Sequence, residues 1–160
     1  MRLMPRGPAP VNILLVEDDA DDIALTRLAL QRAKLQNRIW VVQDGEEVLA
    51  FLRGEPPHEG VPRPDLVLLD LKLPKLDGRD VLLRIREEPR WHRLPVVVLT
   101  SSDADHERLA ALAADGFLTK PVDFVRLGEV VRAIAGLGWA IVKLPTGRAG
   151  GPAKGAARGR

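Results

Sequence analysis

The sequence predicts an α/β domain built on a five-stranded parallel sheet with helices on both faces. Two observations carry this. Five short apolar runs alternate with five segments of helical character, which implies parallel strands joined by right-handed crossovers. The runs are apolar throughout rather than alternating with polar residues, as expected of strands covered on both faces.

The elements follow in order. Val11 to Val16 (VNILLV) is a short apolar run ending in acids, and reads as the first strand. Asp19 to Lys34 reads as a helix, with Ile23, Leu28, Leu30 and Leu35 among polar residues and an acidic first turn that suits the helix dipole. Arg38 to Val42 is the second strand. Gly45 to Arg53 is the second helix, with Val48, Leu49 and Leu52 facing inward. Residues 54–64 (GEPPHEGVPRP) hold four prolines and form a loop. Leu66 to Leu69 is the third strand and feeds Asp70. Arg79 to Glu88 is the third helix, stopped by Pro89. Val96 to Leu99 is the fourth strand. A fourth helix spans about Asp105 to Ala114, with Ser102 and Asp105 as a candidate capping pair. Phe117 to Thr119 is a short fifth strand. Asp123 caps a fifth helix with a stripe of Phe124, Leu127, Val130, Val131 and Ile134.

Composition bounds the rest. The 160 residues suit one domain, and an apolar fraction of 46% is enough for a buried core. Cysteine is absent, so disulfides and thiolate metal sites are excluded. The opening MRLMPRGPAP has no long apolar stretch, and no run is long enough to cross a bilayer. A cytoplasmic protein is expected. The net charge of +2 is unevenly spread: residues 1–10 and 145–160 carry six basic and no acidic residues, leaving residues 11–144 at −4. The expected organisation is a disordered segment over 1–10, a domain over 11–144 with an extension from about 137, and a disordered basic tail over 145–160. Such a tail can bind nucleic acid by charge alone, though a solvated tail is the simpler reading.

Open parallel sheets bind ligands beyond the carboxyl ends of their strands. Glu17 and Asp18 follow the first strand, Asp70 the third, Thr100 the fourth and Lys120 the fifth. Each has an ordinary structural explanation alone: an Asp caps a turn, a Thr fills a strand, a Lys is solvated. Their joint occurrence at four strand ends is harder to explain that way. Two carboxylates at about 4 Å repel by roughly 4 kcal/mol at an effective dielectric near 20, so three together need a cation or a proton. Hard oxygen ligands suit Mg²⁺, which readily takes phosphate oxygens. A carboxylate can accept a phosphoryl group as a nucleophile. A hydroxyl at Thr100 and an ammonium at Lys120 can stabilise the equatorial oxygens in transfer.

The segments ILLVEDD, LVLLDLKLPKLDG, VVVLTSS and GFLTKP stand in the order and spacing of the two-component response-regulator receiver domain, which the chain resembles over about residues 11–135. The resemblance implies a doubly wound, flavodoxin-like fold with strand order 2-1-3-4-5. It makes Asp70 the phosphoacceptor. Glu17, Asp18, Asp70 and the carbonyl of Lys72 become the metal ligands, for Mg²⁺ or alternatively Mn²⁺. Thr100 becomes the switch hydroxyl, Phe117 the switch aromatic and Lys120 the phosphate-pairing lysine, with a cis bond to Pro121. The switch aromatic carries no hydroxyl, so a tyrosine-based readout is excluded. Lys72 sits near the expected path of attacking water and bears on the lifetime of the phosphoryl group.

LVEDDADD, the proline-bearing loop, DLKLPKLDGRDVL and the extension near GWAIVKLP further resemble the stand-alone regulators paired with bacterial phytochromes. This implies a sensor histidine kinase as phosphodonor, a bacteriophytochrome among the candidates. Signalling would run through the face of the fourth helix, fifth strand and fifth helix. Leu137, Trp139, Ile141, Val142 and Leu144 extend that face and predict a homodimer, or else fold back on their own domain. Only 16 residues follow Leu144, so no folded DNA-reading output is expected. Two other functions were weighed. A haloacid-dehalogenase-like phosphatase carries its nucleophile on the first strand and a second Asp two residues on, where this chain has Lys72. A receiver-like binding module independent of phosphorylation would lack one of the five key residues, and none is missing. The chain is therefore expected to catalyse only its own phosphorylation and dephosphorylation.

Overall fold

The alternation of apolar runs and amphipathic segments is realised as a parallel sheet wrapped by helices. A computed structural model describes residues 10–33, 37–101 and 114–134. Its strands are β1 (Val11–Val16), β2 (Asn37–Val42), β3 (Leu66–Asp70), β4 (Val96–Thr100) and β5 (Gly116–Thr119). The helices are α1 (Ala20–Arg32), α2 (Gly45–Arg53), α3 (Gly78–Glu87) and α4 (Phe124–Ala133), the last being the fifth helix of the sequence reading. The sheet order is β2-β1-β3-β4-β5, all parallel. The helix expected over residues 105–114 falls almost wholly outside the described residues. So do the extension with Trp139, Ile141 and Val142 and both terminal segments.

Successive strand residues face opposite sides of the sheet, and each side has its own core. Ile13, Leu15, Leu66, Leu68, Val97, Leu99 and Leu118 pack with Ala29 and Leu30 of α1 and Leu127, Val130 and Val131 of α4. Leu14, Val16, Val67, Leu69, Val96 and Val98 pack with Val48, Leu49 and Phe51 of α2 and Val81, Leu82 and Ile85 of α3. This two-sided burial is why the strands carry no polar alternation.

Each helix starts on an aspartate. Asp19, Asp44, Asp77 and Asp123 accept hydrogen bonds from the backbone N–H groups of Asp22, Glu47, Arg79 and Arg126. Gly54 ends α2 at φ 68°, a left-handed conformation that favours glycine.

Two expected positions, Leu28 and Phe124, are corrected. Leu28 is 41% exposed, because the inward face of α1 is Thr26, Ala29 and Leu30. On α2, Val48 and Leu49 are buried and Leu52 packs against the core as expected, and Phe51, 2% exposed, joins them. Phe124, expected in the inward stripe of its helix, is 39% exposed at the first helical residue.

The register levels the carboxyl ends. Val16 pairs with both Val42 and Leu69, Asp70 with Leu99, and Thr100 with Thr119. Polar residues that end β1, β3, β4 and β5 therefore share one rim.

Candidate functional site

At that rim β1 delivers two acids. The Glu17 backbone N–H still donates to the Val42 carbonyl (3.0 Å), so the strand's pairing continues and Glu17 is carried inward, 0% exposed. Asp18, one residue on, is exposed. Asp70 is the last residue of β3 and is buried. Glu17, Asp18 and Asp70 each offer a carboxylate oxygen within 4.8 Å of the others.

Asp70 is held at both oxygens. The Lys72 N–H donates to Oδ1 (3.1 Å) and Lys120 Nζ donates to Oδ2 (2.9 Å). Lys120 is positioned by its own backbone, whose N–H donates to the Thr100 carbonyl (2.8 Å), and by the cis bond to Pro121. Its ammonium also lies 3.0 Å from Asp22 Oδ2 and 2.8 Å from Glu17 Oε1. The last contact is an ion pair whose angle lies outside that of a hydrogen bond, so the buried Oε1 has no hydrogen-bond partner.

The electrostatics follow from this crowding. Burial pushes the Glu17 carboxyl up to about 7. Lys120 pulls it down, and the neighbouring Asp70 carboxylate adds to the rise. Lys120 moves the other way from most buried amines: burial alone would lower it, but Glu17, Asp70 and Asp22 together hold it above its ordinary value. The proton or cation that three crowded carboxylates demand is thus supplied in part by both.

Two spaces flank Asp70. A cleft of about 510 Å³ is lined by Glu17, Asp18, Asp19, Asp22, Asp70, Lys72, Ser101, Lys120 and Pro121. A narrower one of about 80 Å³ is lined by Asp70, Leu71, Lys72, Arg79, Thr100, Ser101 and Lys120. Thr100 is buried at the end of β4 and lines the narrow space. Phe117 lies on β5 opposite Val98, partly buried against the core of α2 and α3.

Glu17, Asp18, Asp70, Thr100 and Lys120, which the strand-end reading expected to converge, are brought together, and Lys72, implied by the resemblance, lies beside them. Asp22 and Arg79 belong to the same rim and were missed. Both sit inside helices, where a strand-end reading does not look. The donor set suits a hard divalent cation: three carboxylates converge, one buried oxygen lacks a hydrogen bond, and the Lys120 ammonium offsets only one of their charges. Among the described residues no helix is long and apolar enough to cross a membrane.

Response regulator Rcp1 of Synechocystis sp. is 38% identical over 138 residues, which span 85% of this chain and 94% of that protein. Its Mn(2+)-bound form has a TM-score of 0.66 at 38% identity, covering 86% of this chain and all of that one. The bacteriophytochrome response regulator RtBRR has a TM-score of 0.74 at 38% identity, covering 86% of this chain and 84% of that one. The phosphorylated cyanobacterial phytochrome response regulator RcpA has a TM-score of 0.68 at 38% identity, covering 86% of this chain and all of that one. The receiver-domain family model matches residues 13–132, from β1 through α4 and so across every residue that builds the rim, and the chain belongs to the response regulator receiver domain family.

Proposed function

We propose that Asp70 accepts a phosphoryl group from a sensor histidine kinase in a Mg²⁺-dependent reaction. The observation that carries this is the convergence of Glu17, Asp18 and Asp70, with Lys120 Nζ 2.9 Å from the Asp70 carboxylate. Glu17, Asp18, Asp70 and the Lys72 carbonyl would hold the ion, which when bound neutralises charge on the transferring phosphoryl oxygens. The remaining work falls to the chain's own groups. The Lys72 N–H and Lys120 orient the Asp70 carboxylate, and an Asp70 oxygen bonds to phosphorus as the donor's bond breaks. The leaving group takes that electron pair, and charge collects on phosphoryl oxygens in reach of Lys120 and the Thr100 hydroxyl. The reaction is the protein's own modification, and the protein turns over no other substrate.

The phosphorylated form is read through a shift of Thr100 and Phe117, which carries the change to the face of β5 and α4. A bacteriophytochrome is the favoured kinase class, a reading supported by the phytochrome regulators among the relatives. The working form is a homodimer that uses the apolar residues Trp139, Ile141 and Val142, and sedimentation with and without beryllofluoride tests it. The cytoplasm is the proposed compartment. Incubation with Mg²⁺ and acetyl phosphate tests the central claim. An acid-stable, base-labile phosphoryl group should form on the wild type and not on Asp70→Asn, and equal labelling of the two would remove Asp70 from its role.

A further inference from the structure

We propose that Asp22 is a positioning residue for Lys120, holding its ammonium in place while the ammonium's other two partners are drawn into phosphoryl transfer. The inference rests on the reading of Asp70 as phosphoacceptor. Lys120 Nζ has three carboxylate partners: Glu17 Oε1 at 2.8 Å, Asp22 Oδ2 at 3.0 Å and Asp70 Oδ2 at 2.9 Å. Asp22 and Asp70 accept hydrogen bonds from the ammonium and Glu17 adds an ion pair, so its one charge is shared among three carboxylates.

The three are not equivalent. Glu17 and Asp70 belong to the acidic triad that fits a cation, and Asp22 does not. When an Asp70 oxygen bonds to phosphorus, the donor's leaving group departs with its electron pair. Negative charge then moves from the carboxylate to the phosphoryl oxygens. Lys120 must turn a donor toward those oxygens, and Glu17 is engaged with the cation. Asp22 is the partner that no step consumes. Its carboxylate keeps the ammonium charged and in reach, so less reorganisation is needed during transfer.

The placement of Asp22 is set by the helix. Its N–H donates to the Asp19 cap (2.9 Å), which fixes the first turn of α1, and its side chain is only 32% exposed. A first-turn acid also stabilises a helix through its dipole, but Asp21 does so equally. Asp21 is exposed in the same turn and is not a partner of this ammonium. It is the internal control.

The test compares Asp22→Ala with Asp21→Ala in the full chain, each alone and combined with Lys120→Met. With saturating Mg²⁺ and acetyl phosphate, Asp22→Ala should label roughly tenfold more slowly than wild type, the scale of one charged hydrogen bond partly screened by water. Asp21→Ala should change the rate by less than about twofold. Because Lys120→Met is expected to label too slowly to time, Mg²⁺ titration completes the cycle. Without Asp22 the ammonium bears on Glu17 and Asp70 alone and competes with the cation, so the Mg²⁺ midpoint should rise roughly threefold or more, and by a clearly smaller factor in Lys120→Met. Wild-type labelling by Asp22→Ala, or an equal Mg²⁺ response in both lysine backgrounds, would overturn the assignment. A wild type that takes no label while the Mg²⁺ coupling holds would instead overturn the phosphoacceptor reading, and the stated role of Asp22 with it.

Discussion

Replacing Glu17 by Gln should stabilise the metal-free protein above pH 7 and leave it unchanged near pH 4. In the folded chain the Glu17 carboxyl titrates at about 7, against 4.5 for the free group, because burial disfavours its charged form. Its folded value is raised, so its contribution to stability is complete below pH 4.5. That contribution falls as pH rises, since the unfolded chain sheds the proton first, and it is lost once pH passes about 7. Each pKa step is worth about 1.4 kcal/mol, so the whole interval amounts to about 3 kcal/mol. Gln is a neutral isostere and avoids this loss. Other carboxylates also make stability depend on pH, so the quantity to read is the difference between the variant and wild type. Urea unfolding with chelator present, at pH 4, 6 and 8, should show that difference opening from near zero to about 3 kcal/mol in favour of Gln. Mg²⁺ at pH 8 should close it, because wild type gains more from the ion than the variant does. A difference that is flat with pH, or that favours Glu17 at pH 8 without metal, would refute the burial argument.

Three further outcomes follow from the geometry. Asp18→Asn removes one of the three converging carboxylates, and should weaken Mg²⁺ binding by roughly tenfold or more in a calorimetric titration while leaving the fold intact. Gly78→Ala would place a Cβ 2.6 Å from the Asp70 carbonyl oxygen and 2.7 Å from Leu71 Cα. Both are backbone atoms that cannot step aside, so urea unfolding should show a loss of about 1–3 kcal/mol, with slower phosphorylation because the strand end carrying Asp70 must move. Arg86 donates to the Leu94 carbonyl (2.7 Å) and to Asp115 Oδ2 (2.8 Å), tying the segment after α3 to the entry of β5. Arg86→Ala should cost about 1–3 kcal/mol in a thermal melt, with Mg²⁺ affinity unchanged because the tie lies away from the acidic rim.

What was legible in the sequence is what local chemistry decides. β1 and α2 begin and end where expected, because an apolar run closed by acids bounds one, and an Asp44 cap and a Gly54 stop bound the other. β3 and β4 run one residue further than their apolar runs, into Asp70 and Thr100. Those residues keep strand backbone while their side chains serve the rim, so hydrophobicity ends before the ladder does. The strand-end rule found the acids, the hydroxyl and the lysine. It was blind to Asp22 because that residue lies inside α1, where the helix dipole already accounts for an acid. Nor could it rank Leu28 against Thr26. Both suit a helix, and only the docking of α1 on the sheet decides that Thr26 is buried and Leu28 exposed.

The rim is assembled against its own stability, and that ties the cation to the phosphoryl group. Glu17, Asp22 and Asp70 gather around the ammonium of Lys120, with Asp18 beside Glu17 and Asp70. The proposed phosphorylation of Asp70 would not relieve the crowding. It replaces a carboxylate by a group carrying roughly one further negative charge. The added charge falls beside Glu17 and Asp18, so a bound divalent cation is favoured more strongly after transfer than before. Binding free energies are reciprocal: whatever factor the phosphoryl group adds to Mg²⁺ affinity, Mg²⁺ adds to the stability of the phosphorylated state. Lys120 can answer only part of this demand, since its one charge already faces Glu17, Asp22 and Asp70. On the proposed function, the excess acid that costs the domain stability at neutral pH is the same feature that would make phosphorylation of Asp70 depend on the metal.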